Sequence, residues 1–292
     1  MPAASTHVLY AKELMERLPE LGSRIDRPNL YCIGSQGPDV MFFSHYSFLP
    51  NSLHKLGSMM HTRKTKELLF YLKQYTERHP FLRSYYYGFL AHYALDSTAH
   101  PIIIHASQKE EELYGTSSTE AHYRNEGDID TWAFRRAGKA ISDYDVYKDT
   151  KLRREETEAL AGMLKAVLLD VYGVDIKRKE IIEAIHGVSR ITRQLRPTET
   201  RYRIVYNAEK LMKWPHSISG MMLLHKHDHG LIVFNEDHEK YDVPGRPGEQ
   251  DSRSFAEIYE DALNYGERII LDLKPEDIVY DFDGNLITGE DN

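Results

Sequence analysis

The stretch YGFLAHYALDSTAHP, residues 87–101, decides how the chain is read. His92, Asp96 and His100 stand at i, i+4 and i+8. At about 100° per residue they spread over only about 80°, so one face of a helix carries all three. From Phe81 to Ala99 the sequence is nearly apolar apart from Arg83, His92 and Asp96. That composition predicts a buried helix over 81–99 whose few polar side chains need partners. An imidazole and a carboxylate one turn apart can hold a metal ion, or two ions can share the carboxylate. A second such pair, His122 and Glu126, falls one turn apart on a more polar helix predicted over 119–137, with Gly127 as its weak point.

Upstream, residues 8–18 show helical spacing of apolar positions, with His7 at the start. The glycines and Pro38 of YCIGSQGPDV (31–40) predict a loop holding Asp39, followed by the aromatic-rich MFFSHYSFLP (41–50). A helix is predicted from His61 to about Tyr75, ended by His79-Pro80 because the residue before proline disfavours the helical conformation. Downstream, helices are expected at 155–171, 177–194, 202–213 and 252–270, a loop at 242–252, and a small hairpin at about 276–288 turning at Asp283-Gly284-Asn285. The expectation is an all-α protein, one helical domain over 1–292. Its metal-site half would be about 5–135, with packing helices at about 150–270 and the small β-hairpin at the end.

Composition narrows the chemistry. The 292 residues are 41% hydrophobic and 28% charged, enough for a sizeable core. Lys and Arg number 37 against 45 Asp and Glu, a net charge of −8, so no stable nucleic-acid binding is expected. Cys32 is the sole cysteine, which excludes an internal disulfide and any cysteine-rich cluster; a metal would be held by carboxylates and some of the 15 histidines. There is no basic segment leading into an apolar run at the N-terminus, and no run of 18 apolar residues, which reads as soluble and cytoplasmic. No basic amphipathic helix or lipidation signal stands out to carry the chain to a membrane.

Taken in order, His7, GSQGPDV with Asp39, His61, HYALDSTAHP and His122-x3-Glu126 resemble the zinc-dependent phospholipase C family, which is related to the S1/P1-type nucleases. The resemblance covers roughly residues 5–135 and continues weakly through SFAEIYEDALNYGERII. It implies an all-α fold with a zinc cluster at the bottom of a cleft, hydrolysing phosphodiesters of a small molecule or a phospholipid headgroup. Carried over by position, Asp96 would bridge two metals, with His61 and His92 on one and His7 on the other. His100, His122 and Glu126 would hold a third. Asp39 would orient or deprotonate the attacking water, or serve as a further ligand. Secreted members use a processed N-terminal tryptophan as a ligand, whereas this sequence begins MPAAS, so two or three zinc ions, or other divalent metals, fit the resemblance. His100 shares the face of His92 and Asp96 and is the preferred ligand, with His105 as the alternative.

Weaker signals surround these. HKHDH (225–229) is a candidate metal-binding loop or an adventitious one. Tyr85, Tyr86 and Tyr87 read as cleft lining or, as is usual for an aromatic run on an apolar helix, as core. Phe42, Phe43 and Tyr46, beside His45 and His54, read as an apolar cleft wall, Arg63 and Arg124 as phosphate contacts or surface ion pairs, and Trp214, Pro215 and His216 as packing. Two functions compete with phosphodiester hydrolysis. One is a metal-stabilised helical protein without hydrolytic activity; the other is a single-strand nuclease, which the net charge disfavours.

Overall fold

The computed structural model describes residues 4–44, 53–196, 198–214, 216–220, 222 and 231–289. Helices α1 (Ala4–Arg17), α2 (Pro19–Arg24) and α3 (Pro28–Gly34) lead into a 3-10 helix over Gly37–Phe43. Then come α4 (His54–Thr62), α5 (Thr65–Arg78), α6 (Arg83–Tyr114) and α7 (Ser118–Arg136). After the short α8 (Val146–Asp149) follow α9 (Arg154–Asp170), α10 (Arg178–Gln194), α11 (Glu199–Met212), α12 (Ser217–Gly220) and α13 (Phe255–Leu271). Among the described residues the one sheet is a two-residue antiparallel pair, β1 (Tyr241–Asp242) with β2 (Gln250–Asp251), inside the stretch expected to be a loop. The protein is all-α.

Helix α6, 32 residues and about 48 Å long, is the axis of the molecule. It is buried on nearly every side through its first five turns because α3, α13, α7 and α1 all pack on it. The approach of α3 is closest where two glycines meet. A Cβ on Gly34 would lie 2.3 Å from the Tyr85 carbonyl oxygen, and one on Gly88 would lie 2.1 Å from that of Tyr31. The glycine-containing segment expected to be a loop is therefore mostly helical, with Leu30, Tyr31, Cys32 and Ile33 buried in the interface. Buried tyrosines anchor their hydroxyls on distant carbonyls: Tyr31 on Ala11 at 2.7 Å and Tyr93 on Tyr280 at 2.8 Å.

Two further boundaries differ from expectation for identifiable reasons. The helix predicted to end at Ala99 continues through Pro101 to Tyr114. Proline removes the N–H that would bond the Ser97 carbonyl. That carbonyl instead accepts from Arg246 Nη2 at 2.9 Å, while Arg246 Nε donates to Gly284 O at 2.8 Å. The helix predicted from His61 to Tyr75 is two helices. Arg63 is extended and Lys64 is left-handed at φ 55°, held by bonds from Tyr172 Oη to Arg63 O and from Lys64 Nζ to Val171 O. His61 thus sits in the last turn of α4. Gly127 does not interrupt α7; it makes room for α12, since a Cβ there would lie 2.5 Å from Gly220 O. The C-terminal hairpin reduces to a single antiparallel bridge, Tyr280 with Leu286, closed by Gly284 at φ 79°.

Candidate metal centre

Five elements converge on Asp96. His7 comes from the first turns of α1, Asp39 from the 3-10 helix, His61 from the end of α4, His92 and His100 from α6 on either side of Asp96, and His122 with Glu126 from α7. Asp96 Oδ1 faces His7 Nε2 at 3.2 Å; Oδ2 faces His92 Nε2 at 3.0 Å, His100 Nδ1 at 3.6 Å and His61 Nε2 at 3.7 Å. Asp39 Oδ1 lies 3.1 Å from His61 Nε2. Glu126 Oε1 lies 3.2 Å from His122 Nε2 and 4.0 Å from His100 Nε2. All eight residues singled out in the sequence are therefore brought together, with His7, Asp39, His61, His92, Asp96 and Glu126 buried.

Backbone carbonyls select the ring tautomers. His61 Nδ1 faces Gly57 O at 2.8 Å, His92 Nδ1 faces Ser35 O at 3.1 Å and His100 Nδ1 faces Phe282 O at 3.0 Å. A carbonyl only accepts, so each Nδ1 carries a proton and each Nε2 is left for a carboxylate, Asp39 for His61, Asp96 for His92 and Glu126 for His100. An Nε2 and a carboxylate oxygen 3.0–3.2 Å apart need a proton or a metal cation between them. His7 Nδ1, His92 Nε2 and Asp96 Oδ2 are also buried without a hydrogen-bond partner.

The carboxylates stay ionised. Burial alone would raise Asp39 and Asp96, but the facing histidines hold both well below the ordinary carboxylate range, and Glu126 falls to about 2. Burial disfavours the His61 imidazolium, yet Asp39 outweighs it and lifts the ring to about 9. His92, buried completely and beside His7, moves down. Three sets of nitrogen and oxygen atoms lie within 4.8 Å of one another: His7, His92 and Asp96; Asp39, His61 and His92; His100, His122 and Glu126. Two ligands each about 2.0–2.1 Å from a tetrahedral zinc stand roughly 3.3 Å apart, which is the spacing of the closest pairs here. The donor set fits zinc.

The cluster opens into a cleft of about 960 Å³. Asp39, His61, His100 and His122 line it, with Phe42, His54, Lys55, Arg63, Tyr123, Ile218 and Asp283 among its other lining residues. Asp283, Phe282 and Lys55 were not legible as site residues. The first two belong to the C-terminal turn, which reaches the site only through the tertiary fold: Phe282 N–H donates to His61 O at 3.0 Å, and its carbonyl takes His100. Other readings sort cleanly. His105 stacks on Tyr241 with ring centroids 4.4 Å apart, whereas His100 faces the cluster. Phe42 lines the cleft, but Phe43 is in the core. Tyr85 and Tyr86 are core, with Tyr87 packed on it. Arg63 borders the cleft, while Arg124 pairs with buried Glu110. His216 stacks on Tyr206 at 4.2 Å, and Trp214 is half exposed. His45, Tyr46, Pro215 and the HKHDH run lie outside the described residues.

An all-helical fold that gathers histidines from three helices around one buried aspartate defines a class of helical protein built around a carboxylate-centred cluster. The chain belongs to the zinc-dependent phospholipase C family, whose model matches residues 6–172. No curated protein and no solved structure matches it.

Proposed function

We propose that the protein is a zinc-dependent phospholipase C that hydrolyses the phosphodiester of a phospholipid headgroup in the cleft above Asp96. The observation that carries this reading is the Asp96 carboxylate, whose Oδ1 faces an imidazole nitrogen from α1 and whose Oδ2 faces imidazole nitrogens from α4 and α6. Two or three zinc ions would be held by His7, His92 and Asp96, by His61 with Asp39, and by His100, His122 and Glu126. Zinc in such a site neutralises phosphate charge and acidifies water near neutral pH. The chain's own groups do the rest. Asp39, ionised and lining the cleft, orients the attacking water through a hydrogen bond. Lys55 and Arg63, both bordering the cleft, attract the phosphate oxygens, and the faces of Phe42 and Tyr123 flank the headgroup. Asp283 supplies a counter-charge for a cationic amine. No side-chain nucleophile is needed.

The test is release of the phosphorylated headgroup from phosphatidylcholine and phosphatidylethanolamine dispersed in detergent, beside single-stranded DNA as a competing substrate. Turnover of the lipids should stop on chelation, return with zinc, and exceed that of DNA. A zinc-loaded protein that melts higher but cleaves no phosphodiester would instead identify the metal as structural.

A further inference from the structure

From residue 190 to residue 214 the sequence holds seven basic and two acidic residues, in a chain whose net charge is −8. The fold turns this segment into two adjoining features. The first is a cavity of about 1000 Å³ between α8, α10 and the start of α11. Lys148, Lys151, Arg190, Arg193 and Arg201 line it, and no carboxylate among the described residues does. Its rim is fixed by bonds from Asn29 Nδ2 to the carbonyls of Lys148 and Lys151, and from Arg201 Nη1 to Arg193 O. Arg190 is paired with Glu183, but no carboxylate among the described residues pairs with the other four cations. Like charges concentrated in a concavity raise its potential and favour an anion there.

The second feature is α11 itself. Glu209 is its one buried side chain among the described residues. Ile204, Leu211, Met212 and the following Trp214 are exposed, Leu211 at 85%. Ile204 and Leu211, seven residues apart, share a face. A large apolar face left in water beside Lys210, Lys213 and Arg203, the last paired with Glu199 at 2.5 Å, has the composition of a helix lying in a bilayer interface: apolar residues for the acyl boundary and cations for anionic headgroups. The exposure supplies what the sequence reading of this segment as a packing helix missed. Through Glu209, which accepts from the backbone N–H of Ile218 at 2.7 Å, α11 is tied to α12, and Ile218 borders the metal cleft.

We infer that α11 and the basic cavity at its N-terminal end form a docking surface for an anionic phospholipid bilayer, which brings the cleft to the lipid plane. The charge complementarity and the apolar face stand by themselves; the purpose of docking rests on the phospholipase reading. The probe is sedimentation with phosphatidylcholine vesicles with and without phosphatidylglycerol, using metal-loaded full-length protein. The anionic vesicles should be bound, with a blue shift of Trp214 emission that Trp214→Phe removes, since Trp132 is packed against Phe255 and Tyr259. Leu211→Ser with Trp214→Ser, and separately Lys151→Ala with Arg193→Ala, should each weaken binding by about tenfold. All four side chains are exposed, and turnover of detergent-dispersed lipid should stay at the wild-type level in both variants. Equal binding by wild type and both variants, or no binding of anionic vesicles, overturns the proposal, as does a cavity that takes inorganic phosphate while vesicles stay unbound. Binding without hydrolysis of any phospholipid would leave the docking surface standing and remove the proposed activity.

Discussion

Two hydrogen bonds from Thr6, one from its N–H at 2.7 Å and one from its hydroxyl at 2.6 Å, reach Oδ1 of Asp130 and fix the first turn of α1 one residue before His7. Asp130 is wholly enclosed, and burial pushes its carboxyl up to about 7 despite those bonds. A carboxyl whose pKa rises on folding binds more protons in the folded state. Its stabilising contribution is whole below about pH 4 and is lost as pH rises through about 7. Asparagine keeps the accepting oxygen and cannot ionise. Asp130→Asn should therefore melt at or above the wild-type temperature at pH 8, and lose less between pH 5 and pH 8. Thermal unfolding at the two pH values checks this, and an equal loss in both proteins assigns the pH dependence elsewhere. At this scale the sequence was informative wherever chemistry follows helical period: His92, Asp96 and His100, and His122 with Glu126, are neighbours by local geometry alone. The carbonyls that fix the rings, from Ser35, Gly57 and Phe282, carry no side-chain signal, so the tautomers could not be read.

Helix α6 shows how an element survives a residue that ordinarily ends it. The orphaned Ser97 carbonyl is taken by Arg246, whose guanidinium also lies 3.6 Å over the Tyr280 ring and bonds Gly284 O. One side chain thus completes the helix next to His100 and clamps the C-terminal turn whose Phe282 carbonyl orients that histidine. Arg246→Ala should lower unfolding free energy by about 1–3 kcal/mol, the cost of leaving a buried acceptor unmet. It should also weaken metal retention, because the turn that orients His100 loses its clamp. Arg246→Lys should recover little, since a single ammonium cannot serve two carbonyls in the guanidinium's fixed geometry. Urea unfolding with zinc titration measures both effects; an unchanged midpoint would show that the carbonyl has another partner. The end of the helix was misplaced in the sequence because Arg246 is 145 residues from Pro101. In the same way, the glycines of GSQGPDV punctuate a loop when read locally. In the fold, Gly34 lets α3 touch α6, and Gly37, at φ 49°, leaves room for the His92 ring, which a Cβ would meet at 2.0 Å.

Across the whole molecule, the candidate metal centre draws on more of the chain than the part matched to the family. Residues 6–172 supply every candidate ligand, yet Phe282 and Asp283, far beyond that range, close the cluster from the C-terminal side. The order of elements and the all-α class were legible because amphipathic period and breaker residues are local. The placement of 275–289 over α6, and of α11 with its apolar face outward, depended on which surfaces remained for packing. The central claim is that one buried aspartate organises zinc between three helices. It is tested most directly by elemental analysis of tag-free protein, purified without chelator or added metal, beside Asp96→Asn. Two or three zinc ions per chain in the wild type, lost in the variant while its helical content persists, is the result predicted. Near-zero metal that zinc cannot restore, or undiminished zinc in Asp96→Asn, would contradict it.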